Sequence, residues 1–422
     1  SEEVTSEELA AEEAVADALP GAAALRRVWG STLHHPDDLP MNVNQLPKTF
    51  TPWRTKVEDS NTKVRKPYPA EAIKDHLGHC KLPSDDPVIS EALSFLPTLQ
   101  DLGFTDEEVA AAEDGSARGV MPFQGGETAG LARLQEYLWG TDAVATYFET
   151  RNGMLGEAYS TKFSPWLALG CISPRRIYSE LKKYEKQRVK NKSTYWVIFE
   201  LLWRDYFRLS FVKHGSALFR EYGLQGPLNR GPGQQWEQNE ELFQKWVTGQ
   251  TGWPLVDANM RELAATGWMS NRGRQNVGSF LCLDLQLDWR KGGYYFEQQL
   301  LDYDVCSNWG NWHAVAGLSG GRLNRFNIPK QSRDYDPQGE YIKYWIPELK
   351  SVPQQYIHEP WKMSKLDQSD CGVTIGVDYP KPVKTKPFFS APQAQQEGKP
   401  RTGGNRRGGK GTGGRGRQQT RQ

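Results

Sequence analysis

The 422-residue sequence has only five cysteines, Cys80, Cys171, Cys282, Cys306 and Cys371, and no CxxC pair among them. That shortage argues against a disulfide framework and a structural zinc site. It fits a reducing intracellular compartment, without distinguishing nucleus, cytoplasm or organelle. His76, His79 and Cys80 stand close together but lack a second ligand cluster, so a half-exposed loop is expected there and no metal. No run of eighteen apolar residues occurs, so no membrane-spanning helix is expected. Residues 1–20 have no basic residue and no apolar core of the signal-peptide kind. An initiating Met is also missing, and a fragment or processed form is expected.

Charge is plentiful but segregated. Residues 1–20 carry seven acids, and residues 398–422 carry eight bases and no acid, beneath a net charge of +1. Aromatics are abundant too, with 15 Trp, 17 Tyr and 16 Phe, most of them suited to filling a large helical core. Thr5-Ser6-Glu7-Glu8 reads as a capping box opening a short acidic helix that stops at Pro20-Gly21. The following LRRVWGSTLHHPDDLP reads as one strand and its exit loop. The resulting division is an acidic segment with the strand over 1–60, a connecting segment over 61–130 and a helical domain over 131–362. Residues 363–422, Pro- and Gln-rich and then Arg- and Gly-rich, are expected to be a disordered tail.

Three segments carry chemistry. In AYSTKFSPWLALGCISP, Ser164-Pro165 reads as an N-cap with proline in the first turn, and Gly170 as the end of the helix. Ser160, Thr161 and Lys162 just upstream add hydroxyls and an ammonium, so an anion site at the helix start is expected; an ordinary capped helix is the plain alternative. TYWVIFELLWRDYFRLSFV is apolar nearly all round and predicts a buried helix. Within it Glu200 and Arg204, one turn apart, either pair with each other or leave Glu200 and Trp203 facing a cavity for a planar polar ligand. In the third segment Asn271, Arg272 and Arg274 open a helix whose core face is Val277, Phe280 and Leu281. An arginine there can bridge to Asp302 or Asp304, while Asn308 offers an amide suited to a heteroaromatic ring edge. Three such segments in one helical region favour a bound cofactor over three separate polar networks.

The segments TRNGMLGEAYSTKFSPWLALGCISP, FELLWRDYFR, TGWPLVDANMRELAATGWMSNRGRQNVGSF and DYDVCSNWGNW resemble the flavin domain of the photolyase/cryptochrome family. TRNG, SNWGNW and NIPKQSRDYDPQGEYI are similar to its DASH branch. The resemblance implies an all-helical domain holding FAD, preceded by a remnant of a doubly wound α/β antenna domain. It implies that Tyr147, Ser160, Thr161, Lys162, Phe163 and Ser164 line the phosphate and ribitol region, and that Glu200 and Arg204 stand near the adenine and substrate. Asn271, Arg274, Asp302 and Asp304 would surround the isoalloxazine and adenine, and Asn308 would face flavin N5. Trp312, Trp289 and Trp236 match the family's electron-transfer chain from the surface to the flavin, and Trp203, Asn271 and Arg272 match positions that meet the lesion or its flanking phosphate.

The implied reaction is blue-light repair of cyclobutane pyrimidine dimers, preferentially in single-stranded DNA, by a monomer. The alternative is a photoreceptor that does not repair DNA. Two departures bear on this. Only the last strand of the antenna domain, Arg27 to Leu33, is expected here, so a folate antenna (methenyltetrahydrofolate) belongs to a full-length protein more than to this chain. Ala314 stands where the family has a second lesion-facing aromatic. The tail RTGGNRRGGKGTGGRGRQQTRQ resembles RGG segments, implying weak binding of RNA or single strands.

Overall fold

The computed structural model describes residues 2–19, 25–68, 97–224, 236–319 and 323–386. His76, His79 and Cys80 and the Arg/Gly-rich tail lie outside these residues. No three acidic, His or Cys side chains come together as metal ligands among the described residues, and no described helix is long and apolar enough to cross a membrane.

The helices used below are α1 (Ser6–Ala18), α2 (Phe50–Asp59), α3 (Ser164–Ala168), α4 (Lys192–His214), α5 (Pro254–Thr266), α6 (Asn271–Ser279), α7 (Trp289–Gln299), α8 (Val305–Val315), α9 (Glu340–Trp345) and α10 (Lys365–Cys371). The long apolar run becomes α4, the spine of the fold. A capping box starts it, with the Asn191 side chain accepting from the Thr194 amide at 3.0 Å and the Thr194 hydroxyl accepting from the Asn191 amide at 3.1 Å. Gly215, at a φ of 52°, ends it. Val197, Leu201, Leu202, Leu209 and Phe211 are buried along its length.

Helices α7 and α8 pack so closely that glycine is required between them. A Cβ at Gly292 would sit 2.3 Å from the Trp312 ring. On the other side of α8, a Cβ at Gly310 would come within 2.4 Å of Phe207 on α4. These two contacts fix α8, and with it Asn308 and Trp312, against its neighbours.

Two expectations are corrected. Among the described residues no β-strand forms, and Arg27 to Leu33 is a loop, with the Glu2 amide donating to its Val28 carbonyl at 3.1 Å. A strand needs a partner for its ladder; here side chains take most of the bonded backbone groups instead. The Leu33 and His34 amides each donate to buried Asp205 at 2.8 Å, and the Trp29 and Thr32 carbonyls accept from Arg175 at 3.2 Å. Burial pushes the Asp205 carboxyl up to about 7, against the pull of those two amides. Within the same 1–60 segment, α2 adds Phe50, Trp53 and Val57 to the core.

The tail begins later than expected. Residues 363–386 contain α10 and a strap across α5. Tyr379 is fully buried and donates to Asp257 at 2.5 Å, while the Val383 amide donates to the Thr251 carbonyl at 2.8 Å. The same Asp257 accepts from the Thr251 and Gly252 amides. Tyr379→Phe is therefore expected to cost roughly 1–3 kcal/mol, because it strips a donor from a buried carboxylate. Urea denaturation of both proteins checks this; an unchanged midpoint would mean the strap is held by its backbone alone.

Candidate functional site

Loop 157–164, α4, α6 and the turn into α8 enclose a cavity of about 280 Å³. Its walls include Tyr147, Ser160, Thr161, Lys162, Phe163 and Ser164 on one side. Glu200 and Arg204 come from α4, and Asn271 and Arg274 from α6. Asp302, Asp304, Asn308 and Trp312 complete it. Segments far apart in the sequence thus meet around a single space.

The loop is shaped by a residue that sequence reasoning missed. Arg133 is buried, and its guanidinium donates to the carbonyls of Glu157, Ser160 and Thr161 at 2.8, 3.0 and 3.1 Å. Five donors in a rigid fork suit this task. Lys162, at a positive φ of 54°, folds its ammonium onto the Glu157 carbonyl at 2.9 Å and over the Tyr159 ring at 3.3 Å. Burial lowers the Lys162 ammonium to about 6, with Arg133 adding repulsion.

Helix α3 corrects the expected anion site. It is a single turn, Phe163 occupies the N-cap position, and Ser164 makes no capping hydrogen bond. So short a helix has little dipole to offer. The polar groups this wall presents to the cavity are the hydroxyls and the ammonium of the loop.

Of the two alternatives on α4, the Glu200–Arg204 pair does not form, and Glu200 faces the cavity while Trp203 does not line it. Glu200 accepts instead from Arg151 at 3.4 Å, and Arg204 reaches Asp304 at 3.5 Å and the carbonyls of Ser31 and Leu167. Burial raises the Glu200 carboxyl above its ordinary value, and Arg151 partly offsets this. Arg151, also missed, stacks its guanidinium over Trp196 and Phe148, 5.0 and 5.5 Å from their ring centres. No local pattern announces it, since its partner lies 49 residues away.

The α6 bridge forms as expected. One Arg274 nitrogen contacts both oxygens of buried Asp302 at 2.8 and 2.9 Å, and its Nε donates to the Met269 carbonyl. Asp304 caps α8 by accepting from the Ser307 amide at 2.7 Å. The Asn308 amide nitrogen donates to the Gly293 carbonyl at 3.0 Å, and the residue lines the cavity.

Other sequence candidates stand apart. Arg272 lies outside the cavity wall, held by Asn152 at 2.8 Å and Gln275 at 2.8 Å over the Tyr335 ring. Trp203 is also outside: Phe50 stacks on it at 3.8 Å and 12°, and Phe207 tilts against it at 5.4 Å. Trp289 and Trp236 do come together, both donating to the Glu221 carbonyl, at 2.9 and 3.4 Å. Trp236 is buried, as are Trp289 and Trp312.

The N-terminal residues 1–72 match the family model described as DNA photolyase, and residues 196–387 match the FAD binding domain of DNA photolyase. "Cryptochrome DASH, chloroplastic/mitochondrial" of Ostreococcus tauri is 51% identical over 395 residues, covering 90% of this chain and 69% of that protein. The chain belongs to the DASH cryptochromes of the photolyase/cryptochrome family. Among solved structures it is similar to a Synechocystis sp. PCC6803 cryptochrome, with TM-score 0.74 and 47% identity over 91% of this chain and 75% of that one. A class III photolyase from Agrobacterium tumefaciens follows at TM-score 0.71 and 25% identity, again over 91% of this chain and 75% of the other.

The cavity's chemistry suits the FAD that this family's helical domain binds. The Tyr159 hydroxyl and the Trp268 indole N–H, both on its walls, are buried close to each other, and a ligand rich in acceptors can engage them. Hydroxyls and a lysine on one wall fit a diphosphate, and the amide and ion pairs on the other fit a flat heterocycle.

Proposed function

We propose that the chain carries out FAD-dependent, blue-light-driven cleavage of cyclobutane pyrimidine dimers, preferentially in single-stranded DNA. The observation that carries this reading is the meeting of Glu200 and Arg151 at one cavity wall, opposite the Arg274–Asp302 pair and Asn308. FAD held by the Ser160–Ser164 wall, Arg274, Asp302 and Asn308 would supply redox-neutral electron chemistry, one electron lent to the dimer and returned.

The protein's part is to hold the participants. Burial raises the proton affinity of the Glu200 carboxyl and Arg151 offsets it, which places a carboxyl and a guanidinium where a pyrimidine carbonyl gaining an electron can meet them. Arg151 and Arg272 each present a guanidinium near an aromatic face, a combination suited to a phosphate beside a stacked base. Asn308, with its nitrogen held by Gly293, presents an oxygen that can hold a proton at flavin N5. Lesions in single strands avoid most of the unstacking and pairing cost of extrusion from a duplex, hence the strand preference. The Arg/Gly-rich tail supplies weak, salt-dependent binding to RNA or single strands.

Phe50 covering Trp203, and Ala314 on α8, favour a second reading: a blue-light receptor that does not repair. The test illuminates reduced protein with dimer-containing single- and double-stranded oligonucleotides. Faster dimer loss in the single strand supports repair; no loss in either, from flavin-loaded protein, supports the receptor.

A further inference from the structure

Behind the wall formed by loop 157–164, α5 and α9 bury a carboxyl that no part of the proposed reaction uses. Glu262 is fully buried. One of its oxygens accepts from the Tyr341 hydroxyl at 2.6 Å, and the other has no partner. The charges that act on it are those of Lys162 from the loop and Arg274 from α6. Lys162 in turn faces Arg133, Glu157 and Glu262, and its ammonium lies on the Tyr159 ring. Both groups are removed from water, and neither touches a counter-charge directly: Lys162 donates to a carbonyl and Glu262 accepts from a phenol.

We propose that Glu262 and Lys162 form a buried acid–base pair that sets the charge of this cavity wall and makes FAD binding proton-linked. This rests on FAD as the occupant. A diphosphate arriving at the Ser160–Ser164 wall favours a charged ammonium and an uncharged carboxyl in a region of low dielectric.

The two protons act in separate windows. Lys162, at about 6 without an anion, is already charged below that pH. Its contribution to binding is therefore full below pH 6 and falls as pH rises above it. Glu262, pushed by burial to about 8, stays neutral up to that pH. Its ionisation above pH 8 opposes the anion and removes further affinity. Linkage makes the effect reciprocal, so FAD also raises the proton affinity of both groups.

The test uses the full-length holoprotein. Free and bound flavin are separated after equilibration between pH 5.5 and 9 at constant ionic strength, and released flavin is read by fluorescence at one common pH. The dissociation constant is expected to rise up to about tenfold per pH unit above 6 and more steeply above 8, one proton per tenfold slope. Lys162→Arg, a permanent cation, should lose the slope between 6 and 8. Glu262→Gln, nearly isosteric, should keep that slope and lose only the steepening above 8. A dissociation constant that does not vary with pH in the wild-type protein overturns the proposal and leaves FAD binding intact. Failure to hold flavin at any pH overturns both.

Discussion

Trp312→Phe is expected to slow photoreduction of the bound flavin by about tenfold or more, a rise of at least ~1.4 kcal/mol in the rate-limiting barrier. Of the three tryptophans that match the family's electron path, only Trp312 lines the cavity; Trp289 and Trp236 lie beyond it, joined through the Glu221 carbonyl. Phenylalanine fills most of the same space but is far harder to oxidise. The indole is buried against Gly292 and Phe296, its centre 5.0 Å from the latter ring, so the smaller ring also leaves a gap. That gap costs about 1–2 kcal/mol in stability, small enough for the variant to fold and load flavin. Flavin photoreduction followed by absorbance under blue light, with an external donor, gives the comparison. Equal rates in variant and wild type would remove Trp312 from the path.

The second large effect falls on the flavin itself. Asp302→Ala should yield protein with little bound FAD and a stability lower by ~3–5 kcal/mol. Asp302 is buried, and one Arg274 nitrogen contacts both of its oxygens. Removing the carboxylate leaves a guanidinium whose other partner is the Met269 carbonyl, beside the Trp268 face. The charge then seeks solvent or the cavity, and the wall that meets the cofactor moves with it. Absorbance of purified protein measures flavin content, and denaturant titration measures stability. A variant with full flavin content would show that the ion pair is only structural.

How much of this was legible in the sequence varies by residue. The α4 spine was, because a long apolar run with few breakers admits one reading. The Arg274–Asp302 bridge was also legible, since an arginine at a helix start and two aspartates ahead of the next helix are few enough to match. Ser160 to Ser164 were correctly grouped for the wrong reason: residue types suggested an anion site, but the helix meant to supply it is one turn long. Arg133 and Glu262 were invisible because their roles depend on partners far away in sequence, the Ser160 and Thr161 carbonyls and the Tyr341 phenol. Trp203 shows that residue type does not fix orientation, since Phe50 on α2 covers its face. The stretch Arg27 to Leu33 reads locally as a strand, yet a strand exists only with a neighbour, and Asp205 and Arg175 took its place. The strap failed in the opposite direction. Its composition is that of a tail, but a single buried phenol and a few backbone hydrogen bonds hold it.

The most direct test of light-driven repair is the wavelength dependence of dimer loss. Reduced, FAD-loaded protein is mixed with a dimer-containing single-stranded oligonucleotide and illuminated at a series of wavelengths. Dimer loss should follow the absorption band of the bound flavin and stop in the dark. Intact dimers at every wavelength, with flavin demonstrably bound, would contradict repair and leave a light receptor built on the same cavity.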